Sequence, residues 1–64
     1  MNWLLKIRKK ENRTQKEVSE YANITQQMYS YIENGERRPS VDTAKKIAGF
    51  LGFNWTRFYD NTEQ

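Results

Sequence analysis

Two adjacent amides, Gln26 and Gln27, are the side chains in this 64-residue chain best suited to reading the hydrogen-bonding edge of another molecule. A primary amide places a donor beside an acceptor, the complement of N6 and N7 on adenine's major-groove edge. Both follow Thr25, a helix-capping residue, so the pair is expected in a first helical turn with its side chains outward. The plainer account is two soluble first-turn residues, the common fate of such a pair; only the surrounding frame distinguishes them. Arg37 and Arg38 offer a second chemistry, contact with backbone phosphates or a narrow minor groove, against a solubilising loop. Glu17 and Glu20, one turn apart, could share acid–base work. Glu17 already has a capping duty and no pocket can be inferred, so no catalytic residue is assigned and an enzyme is not expected.

What the composition lacks narrows the field further. There is no histidine and no cysteine, which removes disulfides, thiol nucleophiles, Ser-His-Asp triads and Cys or His metal sites. No cofactor and no metal are therefore expected. The longest apolar run is Trp3-Leu4-Leu5, far short of a membrane span or signal-peptide core, so no membrane partner is expected and a cytoplasmic location is. N-x-T triplets begin at Asn12, Asn23 and Asn54, and without a secretory signal they are chance matches. A hydrophobic fraction of 36% with two Trp, four Tyr and three Phe argues for a folded chain. One small domain is expected over residues 1–59, with a frayed polar tail at 60–64.

Apolar spacing predicts an all-α fold of five short helices. Asn2 can cap a first helix over residues 3–12 with Leu4, Ile7 and Arg8 inward. Thr14 and Glu17 form a capping box opening a second helix that buries Val18 and Ala22. Asn23 suits a left-handed turn. Thr25 then caps a third helix with Tyr29 and Ile32 inward, closed at Asn34-Gly35. Ser40 opens a fourth, placing Val41, Ala44, Ile47, Ala48 and Leu51 on one face before Gly52. Asn54 can cap a fifth helix carrying Trp55, Phe58 and Tyr59, rings that either close the core or form a dimer patch; Trp3 is equally open.

Between Thr14 and Gly35 the second and third helices are joined by Ala22-Asn23-Ile24, the spacing of a helix-turn-helix. Ser19 and Ala22 are small enough for close helix contact, Ile24 plugs the turn, and Gln26, Gln27 and Tyr31 are left on the outer face. Charge supports the frame without proving it. Residues 1–16 carry a local +5 and residues 37–46 a local +3, flanking a −4 middle, for a net +3. Lys9, Lys10, Lys45 and Lys46 are read as ordinary surface charges.

Over residues 3–59 the chain resembles the lambda-repressor-like (Xre-type) helix-turn-helix family, which includes phage Cro and phage repressors. The matching elements run in register: Ile7-Arg8, Thr14-Gln15-Lys16-Glu17-Val18, Ile24-Thr25, Tyr29-Ser30, Ile32-Glu33-Asn34-Gly35, Arg38-Pro39-Ser40, Lys46-Ile47-Ala48 and Leu51-Gly52. The resemblance implies that Gln15 contacts a phosphate and pairs with Gln26. It further implies that Gln26 and Gln27 read bases, that Tyr31 adds a groove contact, and that Asn34 meets a phosphate. Arg8 and Glu33 map to an internal ion pair. Departures are Asn at 12 and 23, where relatives often carry Gly, and Arg13 at a commonly apolar position, where it adds a phosphate contact beside Gln15 with Lys16 in the same basic block. Met28 replaces a small polar residue; gap-filling is expected of it, the alternative being a thymine methyl.

The reading that follows is a regulator of transcription, a repressor from a phage or mobile element, binding double-stranded DNA at a pseudo-palindromic operator as a homodimer. With no sensing domain expected in the chain, control would come from concentration, site competition or a regulatory protein partner. The rival readings are an antitoxin-like module and a protein-interaction domain, which would show an apolar patch on the outer face built from Met28, Tyr31 and Trp55.

Overall fold

Each helix of this protein has a start and a stop written in its local chemistry. A computed structural model describes residues 2–60 and shows α1 (Asn2–Lys10), α2 (Gln15–Ala22), α3 (Gln26–Glu33) and α4 (Val41–Leu51), followed by a short 3-10 helix, Trp55–Tyr59. No described residue lies in a strand, and no described helix is long and apolar enough to cross a membrane. Thr14 opens α2 with a full capping box: its hydroxyl accepts from Glu17 N–H at 3.1 Å, and its own N–H donates to Glu17 Oε1 at 2.8 Å. Thr25 Oγ1 accepts from Met28 N–H at 3.0 Å, and Ser40 Oγ from Thr43 N–H at 3.2 Å. These bonds satisfy amides that a helix start leaves unpaired.

The stops share one geometry. Asn12 (φ 58°), Asn23 (φ 60°), Gly35 (φ 80°) and Gly52 (φ 85°) are left-handed. The next residue's N–H then donates five residues back in every case: Arg13 to Arg8, Ile24 to Ser19, Glu36 to Tyr31 and Phe53 to Ala48. This is a Schellman closure, which turns the chain sharply while pairing the last carbonyls. It ends α1 at Lys10, earlier than the expected residue 12. Asn2 lies inside α1 rather than capping it.

The expected fifth α-helix is instead the 3-10 segment. Asn54 Oδ1 accepts from Thr56 N–H only two residues on, at 3.0 Å, and Arg57 N–H donates to Asn54 O three residues back, at 3.0 Å. Seven residues separate Gly52 from the extended Asp60 and only five of them, Trp55–Tyr59, are helical, a length at which the tighter 3-10 turn is common. The segment still delivers Phe58, 5% exposed, into the core.

That core comprises Leu4 of α1, Val18 and Ala22 of α2, Tyr29 and Ile32 of α3, Ala44, Ile47 and Leu51 of α4, and Phe58. Val41 departs from the expected inner face: it is the first residue of α4 and stays 50% exposed, burial on that helix beginning at Ala44. Trp3, Phe53 and Phe58 close the far end, with ring centroids 5.2 to 5.5 Å apart. α2 packs against both α3 and α4, so α3 is braced from behind and its other face is free. Residues 61–64 of the expected tail lie outside the described residues.

Candidate nucleic-acid interface

The outer face of α3 is set by what its inner face must bury. Tyr29, Ile32 and Glu33 point inward, which at helical spacing turns Gln27 and Tyr31 outward, while Gln26 is exposed at the N-terminal tip of the helix. Ser19 and Ala22 on α2 are 2% exposed each, and without bulky side chains there the two helices approach closely. Ile24 packs against the core from the turn itself. At the solvent face Gln27 Nε2 donates to Tyr31 Oη at 2.9 Å, a one-turn pairing along the helix. Gln26 is exposed and makes no side-chain hydrogen bond among the described residues. Met28 is half-buried and packs against the core, so it fills a gap instead of facing outward. It borders a cleft of about 160 Å³ between Ile24, Met28 and Ile32 and the Arg38–Thr43 segment.

Behind α3 sits a polar cluster centred on Glu33, 6% exposed. Arg8 grips it with two prongs, Nε to Oε2 at 2.8 Å and Nη2 to Oε1 at 3.1 Å, while Nη1 donates to the Arg13 carbonyl at 2.9 Å. Tyr29 Oη donates to Oε2 at 2.8 Å and Gln15 Nε2 to Oε1 at 2.9 Å. The Gln15 amide therefore meets Glu33 and not Gln26. A buried carboxylate with several lone pairs is the stronger acceptor, and it lies within reach of the first turn of α2. Burial alone would push the Glu33 carboxyl upward, but the bonds from Arg8, Gln15 and Tyr29 together outweigh it and hold the group below its usual range. The Glu33 bond holds the Arg8 guanidinium still more firmly protonated, and burial, with Glu33 beside it, keeps the Tyr29 phenol neutral well above its ordinary range. The cluster ties α1, α2 and α3 into one geometry.

The cations fall around the α3 face in differing states. Lys16, Arg37 and Arg38 are exposed, as is Asn34 at the C-cap of α3. The Arg37 guanidinium lies 5.5 Å from the Tyr31 ring centroid, and Arg38 lies 5.7 Å from that of Tyr59, whose hydroxyl donates to the Pro39 carbonyl. Arg13 stacks 4.8 Å over Phe50 and lies 3.8 Å from Glu17, so it is held beside the start of α2. Gln15 is half-exposed, with one amide proton directed at Glu33.

Of the three candidate dimer-patch rings, Phe58 belongs to the core and is withdrawn from any surface, because the domain needs it to seal the α1–α4 end. Trp55 and Tyr59 are half-buried, with Lys45 over Trp55 at 5.2 Å. Sequence reasoning missed the Tyr29–Glu33 bond, although the i, i+4 spacing of a phenol and a carboxylate was a usable signal. It also missed the stack of Tyr21 on Phe50 at 4.5 Å, which no local pattern marks.

A helix-turn-helix family model matches residues 4–58. Over 59 residues, 92% of this chain and 78% of the relative, the chain is 48% identical to a protein described as an uncharacterized HTH-type transcriptional regulator, YqaF, from Bacillus subtilis (strain 168). No solved structure matches the chain. The match spans all four α-helices, and the turn at Asn23 sets α3 outward within it; the chain belongs to the helix-turn-helix family, of the lambda-repressor-like kind.

Proposed function

We propose that this protein is a cytoplasmic, sequence-specific repressor of transcription that reads a pseudo-palindromic operator in duplex DNA as a dimer. The observation that carries the reading is the exposure of Gln26 and Gln27 at the start of α3, on a helix locked from behind by the Glu33 cluster. A helix offered in this way fits the major groove, where an amide matches adenine and a rigid scaffold fixes the register. α2 would cross the backbone, with Gln15, Lys16 and Arg13 near phosphates on one side of α3 and Asn34, Arg37 and Arg38 on the other. Both glutamines are polar and solvent-facing, and Met28 is turned inward, which favours base reading over an apolar docking face.

The described domain measures 28 × 23 × 19 Å, and each copy would cover one half-site. Two copies would take half-sites about one helical turn, roughly 34 Å, apart. A dimer seated there represses by obstructing access to the promoter. The relative is likewise named as a transcriptional regulator. Selection of bound sequences from a random duplex pool tests the reading in one step. Enrichment of a two-fold symmetric motif supports it, whereas a pool that stays random after repeated rounds overturns sequence-specific binding.

A further inference from the structure

The two neighbouring glutamines are not equivalent. Gln27 gives one amide proton to Tyr31 Oη at 2.9 Å, whereas Gln26 has no such partner among the described residues. Tyr31 is held at its backbone, where its carbonyl accepts from Glu36 N–H at 2.8 Å and Arg37 N–H at 3.3 Å, and at its ring, whose centroid lies 5.5 Å from the Arg37 guanidinium. We propose that Tyr31 is a positioning residue that sets the orientation of the Gln27 amide and thereby the base that Gln27 reads. The inference rests on the DNA-binding reading and goes beyond it by separating the roles of three residues.

An unrestrained amide can rotate by half a turn and present its donor and acceptor in either order, so it discriminates poorly between bases with opposite patterns. With one Nε2 proton held by the phenol, the other proton and Oε1 face outward in a fixed order. That order suits adenine, whose N7 accepts and whose N6 amino group donates. The phenol oxygen accepts from Gln27 and keeps its own proton, so Tyr31 presents a donor beside the amide. The composite edge therefore fits adenine next to a base with a major-groove acceptor, thymine O4 or guanine O6 and N7. Arg37 contributes by pinning the ring, a role separable from any phosphate contact.

The test is a double-mutant cycle on the duplex selected by the wild-type protein and on the duplex with the Gln27 adenine replaced. Tyr31→Phe keeps the ring, its packing and the Arg37 stack, and removes only the hydroxyl. It is expected to reduce discrimination at that base by roughly three- to tenfold, the worth of one side-chain hydrogen bond. In a Gln27→Ala background, Tyr31→Phe should change discrimination there by less than about twofold. Independent, additive losses at the Gln27 base, or a Tyr31→Phe loss confined to the neighbouring base pair, would overturn the positioning role and leave Tyr31 a direct reader only. An unchanged preference in Tyr31→Phe would also overturn it. Failure of the wild-type protein to prefer any duplex is a distinct result that strikes the DNA-binding reading instead; circular dichroism of each variant confirms folding.

Discussion

Glu33→Ala should come close to unfolding this domain, although the residue is buried and faces away from the α3 outer surface. The carboxylate is 6% exposed and accepts from Arg8 by two bonds, from Gln15 and from Tyr29. Truncation leaves the Arg8 guanidinium, whose side chain is 12% exposed, without its counter-charge. Breaking a buried pair from one side costs about 3–5 kcal/mol, and orphaning the Tyr29 hydroxyl adds to it. A 64-residue domain has only about 3–10 kcal/mol in total, so the loss consumes most of it. Thermal unfolding followed by circular dichroism should show a midpoint lowered by about 12 °C or more, or no cooperative transition. Replacing both members by apolar residues, Arg8→Met with Glu33→Met, should recover much of the loss, because desolvating the pair is itself expensive. The acid limb adds a second signature. Because Glu33 is held below its usual 4.5 in the folded state, its contribution is fully present above that value and fades as pH falls toward the folded pKa. Glu33→Gln should therefore flatten the decline in stability below pH 4.5. A Glu33→Ala protein that melts at the wild-type temperature would refute the whole chain of reasoning.

Other consequences can be checked with single substitutions. Asn12 and Asn23 occupy left-handed conformations that a Cβ disfavours and that glycine adopts without steric cost, though with a larger loss of backbone entropy. Asn12→Gly and Asn23→Gly should each raise stability by up to about 1 kcal/mol in chemical denaturation, with DNA affinity unchanged. Phe58→Ala should cost about 3–5 kcal/mol, since the ring is 5% exposed and contacts both Trp3 and Phe53; a small loss would return Phe58 to the surface. Neutralising Arg38 should lower the slope of log affinity against log salt by about 1 on every sequence. An unchanged slope would assign Arg38 to its stack on Tyr59 alone.

The parts of this fold that show in the sequence are those governed by contacts three or four residues apart. Thr14, Thr25 and Ser40 each precede an amide they cap, and Asn23, Gly35 and Gly52 mark ends because few residues tolerate a left-handed backbone. The Arg8–Glu33 approach spans twenty-five residues and was visible only through family resemblance. Gln15 illustrates the limit: the family resemblance pairs its amide with Gln26, and only the packed geometry directs it to Glu33. The final segment misled for a related reason. Aromatic spacing in Trp55, Phe58 and Tyr59 fits a helix, yet the choice between α and 3-10 turns on Asn54 and on the short distance to Asp60. Sorting those rings into core and surface needed the partners across the molecule, Trp3, Phe53 and the Pro39 carbonyl.

Base reading by this protein requires the start of α3 to enter the groove. Titrating a selected duplex into nitrogen-15-labelled protein, and following the side-chain amide resonances, addresses this without altering a residue. The largest shifts should fall on the Gln26 and Gln27 amides and on the backbone around Thr25, with smaller ones near Lys16 and Arg37 and little change at Phe53 and Thr56. Shifts centred on Trp55 and Lys45, with both glutamine amides unmoved at saturation, would contradict it.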